Sequence, residues 1–261
     1  MKKVLFMILP FMLCAFQGQG QNRDKALGSL VEAEISFAST SVEKGIRTAF
    51  LEYLADDAIV FLPEPKNGKE GYGSQPESDA KLSWYPAYAD ISSSLDWGYT
   101  TGPYELRVNP GDEKAARAGF YLSVWKKQPD GHWKVAIDHG SSYPVEQIKP
   151  EAYRPTVGGK ASKGTEQDLL QKDVLRVQPY HEETLIYRAG QYPVRYKELM
   201  IEPAGNILYS TLGHDISPAA DMAYTYGSYT RGEAEKGYYL KVWKAIDGEW
   251  KLAAHNLVPN K

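Results

Sequence analysis

Apolar positions Leu27, Leu30, Val31, Ile35 and Phe37 recur at roughly helical spacing, and a second apolar segment runs from Ile46 to Leu54. Thr40 with Glu43 has the form of a capping box, so two helices are expected to open the chain's first domain. From Ala58 the pattern changes. The runs "AIVFL", "YTTGPYEL", "FYLSVWKK" and "WKVAID" are rich in β-branched and aromatic residues and are separated by turn signals, which predicts strands. "PDG" at Pro129 and "DG" at Asp247 predict hairpin turns, where glycine takes a positive φ without a Cβ clash. Helices followed by a meander of antiparallel strands is an α+β plan, in which a curved sheet wraps on the helices and leaves a cone with a pocket.

The pattern occurs twice. "GFYLSVWKKQPDGHWKVA" from Gly119 returns as "GYYLKVWKAIDGEWKLA" from Gly237, "LADDAIVFLPEPKNGKEGY" from Leu54 lies over "YHEETLIYRAGQYPVRYKE" from Tyr180, and "DISSSLDWGYTTGPYE" from Asp90 lies over "DISPAADMAYTYGSYT" from Asp215. Three blocks in one order, at offsets of 126, 125 and then 118, indicate a duplicated domain with a shorter last hairpin in the second copy. Two copies make two domains rather than a solenoid. Copy one is expected over residues 22–147, a linker rich in Pro, Gly, Lys and Ser over 148–165, and copy two over 166–261. About fifteen residues precede "YHEET", against more than thirty in copy one, so the second copy is expected to have a shortened helical start.

The front of the chain reads separately. Lys2 and Lys3 precede an apolar run, Val4 to Phe16, which is too short to span a bilayer and gives way to "QGQGQN". This is the form of a secretory leader over residues 1–20, with cleavage near Gly20 and an exported, periplasmic or secreted, mature protein. Leu13 before Cys14 argues against lipid attachment, and cleavage would remove the single cysteine, leaving no disulfide and no thiol nucleophile. Without Lys2 and Lys3 the chain carries 28 basic and 33 acidic residues and no arginine cluster, so nucleic acid is not an expected partner.

The helices, "YLADDAIVF", the Trp84 segment, "GYTTGPYE" and the "VWKKQPDGHWKVAIDHG" hairpin together resemble the nuclear transport factor 2-like superfamily, in its SnoaL-like and ketosteroid-isomerase-like branches. The resemblance covers Asp24 to Pro144 and, less completely, Tyr180 to Pro259. It implies two tandem cone-shaped domains that pair sheet to sheet within the chain, as an intrachain pseudo-dimer that can also form a homodimer. Because one scaffold of this kind hosts isomerases, dehydratases, cyclases and plain binders, function has to come from the pocket.

Alternation along "WKVAIDHG" puts Lys134, Ala136 and Asp138 on one face and Trp133, Val135, Ile137 and His139 on the other. Strand position relative to ketosteroid isomerase implies that Asp138 faces the cone, where an apolar setting raises a carboxyl pKa and suits proton transfer. The alternative is a structural pairing with a lysine or tyrosine. Tyr99 and Tyr121 are candidate oxyanion donors beside it, and Trp84, Tyr104, Tyr224, Tyr239 and His255 are candidate ligand contacts. Aromatic residues also fill curved sheets without touching ligand. His255 stands where copy one has Asp138. Trp125, Trp133, Trp243 and Trp250 recur and read as packing, and Asp56 and Asp57 as turn residues. No HxH or HxxxH spacing, Gly-rich phosphate loop or Gly-x-Ser-x-Gly elbow occurs, so neither metal nor cofactor is expected. Three functions remain open: binding a small, largely apolar molecule, a cofactor-independent isomerase, dehydratase or cyclase acting through Asp138, and a structural or interaction module with filled cones.

Overall fold

The computed structural model of the chain describes residues 10–148, 154–155, 160–199, 206–233 and 235–260, with side chains excepted for 10–19 and 154–155. Residues 1–9 of the expected leader lie outside the described residues, and the expected cleavage point near Gly20 falls inside the first helix, α1 (Pro10–Lys44). Among the described residues no helix is long and apolar enough to cross a membrane.

Helix α1 runs through the expected capping box. Thr40 Oγ1 donates back to the Ser36 carbonyl at 2.8 Å, and the helix breaks instead at Gly45, whose φ of 95° needs no Cβ, before α2 (Ile46–Tyr53). The buried stripe of α1 is Leu30, Glu34, Phe37 and Ser41, whereas Ile35 is 49% exposed. A carboxylate thus stands at a core position.

The first sheet contains β1 (Leu54–Phe61), β2 (Pro65–Asn67), β3 (Lys81–Trp84), β4 (Tyr88–Ile91), β5 (Trp97–Arg107), β6 (Arg117–Lys127) and β7 (Trp133–Tyr143), with a short helix α3 (Gly68–Gly73) after β2. Its order is β2-β1-β7-β6-β5-β4, with β3 also on β5. After the short helix α4 (Glu166–Asp173) the second sheet repeats the plan with β9 (Tyr180–Arg188), β10 (Gln191–Arg195), β11 (Ile207–Ile216), β12 (Met222–Arg231), β13 (Glu235–Ile246) and β14 (Glu249–Pro259), in the order β10-β9-β14-β13-β12-β11. In both sheets the first long strand lies parallel to the last, Val60 opposite Asp138 and Ile186 opposite His255, while the other neighbours named in these two orders are antiparallel. The fold is α+β, two tandem cones, with one eight-residue α-helix among the described residues of copy two where copy one has three.

The segment between the copies is less free than its composition suggests. Its residues Arg154–Pro155 form β8, parallel to β4, and the Ser162 and Gly164 amides donate to the Ala245 and Ala220 carbonyls.

Glycines explain why the repeated blocks look alike. A Cβ on Gly119 would lie 2.5 Å from the Tyr104 ring, and one on Gly237 would lie 2.8 Å from the Tyr229 ring. Each glycine faces its tyrosine across the ladder, so the ring lies flat over bare backbone. Both last hairpins also carry a bulge. Val124 pairs with Ile137 but Trp125 with Val135, and Val242 pairs with Ala254 but Trp243 with Leu252. The extra residues are Ala136 and Ala253, and each resets the alternation. The expected faces of "WKVAIDHG" are corrected accordingly: Val135 and Asp138 both serve the cone, while Ala136 and Ile137 pack toward the other sheet.

The outer faces of the two sheets meet in one apolar cluster, with Trp97, Tyr99, Leu122 and Val124 against Tyr187, Tyr224, Leu240 and Val242. The polar contacts obey a pseudo-two-fold rule. Lys126 pairs with Asp215, and its counterpart Lys244 pairs with Asp90, the counterpart of Asp215, at 2.5 Å. Likewise Phe61 approaches Tyr226, while their counterparts Tyr187 and Thr101 share a 2.8 Å hydrogen bond. Such reciprocity is the mark of an isologous pair, here within one chain. Asp221 adds an asymmetric clasp, accepting from Ser92 Oγ at 2.5 Å and from the Ser93 amide at 2.8 Å.

Candidate functional site

The first cone encloses a cavity of about 440 Å³. Phe37 and Phe50 reach it from α1 and α2, Tyr72 from α3, Leu82 and Trp84 from β3, and Tyr104, Tyr121, Ser123 and Asp138 from β5, β6 and β7. Aromatic edges shape its wall: Trp84 meets Phe37 edge-on at 4.8 Å, and Phe50 stacks on Tyr72 at 4.0 Å. This is the size and lining of a small-molecule pocket, apolar with few polar groups.

Two carboxylates supply most of its chemistry. Asp138 is surrounded by protein, yet it keeps accessible surface because it faces the void. Burial raises its pKa to about 6, against the opposing pull of Ser123 Oγ, which donates to Oδ1 at 2.6 Å. Oδ2 accepts no hydrogen bond among the described residues. Glu34 is fully buried and is pushed up to about 7 by burial, with the Asp138 charge adding a smaller push. Thr100 Oγ1 and Trp84 Nε1 donate to it at 2.5 Å and Trp125 Nε1 at 3.0 Å, which limits the rise. Neither residue forms an ion pair among the described residues. Two acids in one apolar chamber, Asp138 largely ionised and Glu34 about half protonated near neutrality, are placed for opposite roles as proton acceptor and donor.

The sign of the pH effect follows from Glu34. Its folded pKa of about 7 lies above the model-peptide value of 4.5, so its ionisation opposes folding. The associated stability is present below about pH 4.5 and is lost as pH rises through about 7, a change of roughly 3 kcal/mol. In Glu34→Gln that slope should vanish. Urea denaturation of both proteins at pH 5 and pH 8 checks this, since the wild type should lose roughly 3 kcal/mol more than the variant over that interval.

Of the residues expected at the site, Asp138, Tyr121, Trp84 and Tyr104 come together around the cavity. Tyr121 is held with its hydroxyl beside Thr100, and burial raises its pKa. Tyr99 does not join them. It alternates with Thr100 on β5 and packs between the sheets, opposite Val124, so it faces away from the void. Tyr224 is corrected in the same way: it stacks on Trp97 at 6.0 Å in the interface. His139 is also buried, stacked on Phe61 at 3.8 Å at the cavity's margin, and burial lowers its pKa to about 3, which keeps it neutral.

Among the described residues, the interior of the second cone holds a buried polar network where the first has open space. Lys241, fully buried, stands where copy one has Ser123, and its Nζ lies 3.1 Å from Asp173 Oδ1 and 3.6 Å from the centre of the Tyr209 ring. Tyr239 donates to Asp173 at 2.6 Å, and His255 Nδ1 lies 2.9 Å from the Tyr180 hydroxyl. Both expected ligand contacts are therefore internal partners. Burial, and then the Lys241 charge, keep His255 well below its usual pKa. Burial lowers Lys241 to about 8, with Asp173 opposing. Asp173 closes the end of α4 as Glu34 stands on α1, each accepting from the threonine before a buried tryptophan, Thr225 with Trp243 and Thr100 with Trp125. The recurring tryptophans thus pack and also hold this motif. Among the described residues no cluster of three or more metal-ligating side chains occurs.

No protein-family model matches the chain. Nor does any curated protein match it. Solved structures similar to it include an NTF2-like protein with a cystatin-like fold from Novosphingobium aromaticivorans, 12% identical, TM-score 0.39, covering 52% of this chain and 92% of its own. LinA is 15% identical with a TM-score of 0.37, covering 48% of this chain and 91% of its own. A protein of unknown function with a cystatin-like fold from Nostoc punctiforme is 18% identical with a TM-score of 0.36, covering 44% and 90%. What the site does rests on its own geometry.

Proposed function

We propose that the first cone binds a small, largely apolar molecule and that the second cone is its structural partner. The observation that carries this reading is the contrast between equivalent positions: an open cavity beside Ser123 and Asp138, and a chamber closed by Lys241 and Asp173. Asp138 and Glu34 favour a second step at the same site, cofactor-independent proton transfer of the isomerase, dehydratase or cyclase kind. Asp138, the more acidic of the two, takes the proton, while Glu34 in its neutral form and the Tyr121 hydroxyl stabilise the oxygen that gains charge. The leader pattern of residues 1–20 supports an exported location for this activity.

A probe for a desolvated carboxylate base tests the step. With 5-nitrobenzisoxazole, loss of the carbon-bound proton to Asp138 breaks the ring N–O bond and releases a coloured cyanophenolate. The rate should rise with pH through about 6 as Asp138 ionises. Asp138→Asn should cost about a hundredfold, the range of a positioned base. An unchanged rate in a folded variant rejects the role, leaving binding to be judged by titration.

A further inference from the structure

The two copies serve as internal controls for each other at the cavity mouth. Arg117 lines the first cavity and is exposed, at the start of β6. Its cross-strand partner is Leu106, which offers no charge. At the equivalent pair in copy two stand Glu235 and Arg231, joined at 3.1 Å, with the Tyr229 hydroxyl also donating to Glu235 at 2.9 Å. There the mouth neutralises itself. In copy one the nearby Glu105 is already held by Arg107 at 2.6 Å, and Arg117 forms no ion pair among the described residues. The Tyr104 ring, flat over Gly119, lies beside it on the cavity wall.

We propose that the ligand of the first cone is an organic anion, with an apolar body seated between Phe37, Trp84 and Tyr104 and one carboxylate or sulfonate-like head held by Arg117. This rests on the reading of that cone as a binding site. A guanidinium presents a planar fork that matches the two oxygens of such a head, and a partly enclosed mouth screens the pair less than open water does. The anion is kept at the rim, away from the carboxylate of Asp138, whose charge would repel it. The ligand is therefore bound in one orientation, head outward.

Two dyes of one skeleton separate the inference from the reading beneath it. N-phenyl-1-naphthylamine is neutral, and 8-anilinonaphthalene-1-sulfonate adds one anionic group. Both should bind wild type one to one, the second displacing the first. Arg117→Gln should weaken the sulfonate about tenfold while changing the neutral dye less than about twofold, and Arg117→Lys should fall between. Added salt should weaken the sulfonate alone. If neither dye binds, the first cone is not a binding site. If both bind but Arg117→Gln treats them alike, or the sulfonate binds without displacing its neutral analogue, the anion assignment is overturned and the binding site stands.

Discussion

Ser123→Lys is expected to abolish binding of N-phenyl-1-naphthylamine to the first cone while leaving the protein folded. The second copy has already made this change: Lys241 occupies the position of Ser123, and its ammonium is accepted by an acid from the preceding helix. In the first cone a lysine at 123 would stand directly across the ladder from Asp138, with Glu34 on the other side of the chamber. Its four-carbon stem would take the space of the ligand, and two carboxylates would be present to receive its charge. Both acids should then ionise more readily than in wild type, because a cation replaces an apolar void. Fluorescence titration should show affinity lowered by at least about a hundredfold, set against a denaturation curve to confirm folding. Undiminished binding would move the ligand out of this cavity.

Lys241→Met has the opposite character: a large effect on stability and none on the first cone. The pair with Asp173 is fully buried, and Asp173 also accepts from Thr211, Thr225 and Tyr239. Removing the cation alone leaves an uncompensated carboxylate in the core, a change that costs about 3–5 kcal/mol. The double variant Lys241→Met with Asp173→Asn should recover a substantial part, because a neutral amide carries far less desolvation penalty. Urea denaturation of the three proteins checks both statements, and a single variant as stable as wild type would show the pair to be dispensable.

These outcomes also indicate how far the residues alone led. The duplication was legible because glycine, tyrosine and tryptophan recur for steric reasons, as at Gly119 beneath Tyr104 and Gly237 beneath Tyr229. Asp138 was reachable by strand position. Its true neighbours on the cone face were not, since the bulge at Ala136 is written in no distinctive local sequence and is set by the ladder as a whole. Tyr99 and Tyr224 were misplaced because both faces of these strands are buried, one by the cone interior and one by the partner sheet, so aromatic character cannot say which. Glu34 went unseen although a signal existed: it is the charged member of the stripe Leu30, Glu34, Phe37, Ser41. The buried ion pair of the second cone turns on Lys241, which stands at the position of Ser123 and whose meaning appears only when Asp173 is beside it.

The reciprocal contacts between Lys126, Asp215, Lys244 and Asp90 have an evolutionary consequence. In a homodimer every mutation is made twice, so a residue that plugs one chamber plugs its twin, and a charge gained at one rim is gained at the other. Joining the protomers end to end removes that obligation. One half can then fill its interior with charge while its sibling keeps open space at the equivalent position, as Lys241 and Ser123 do.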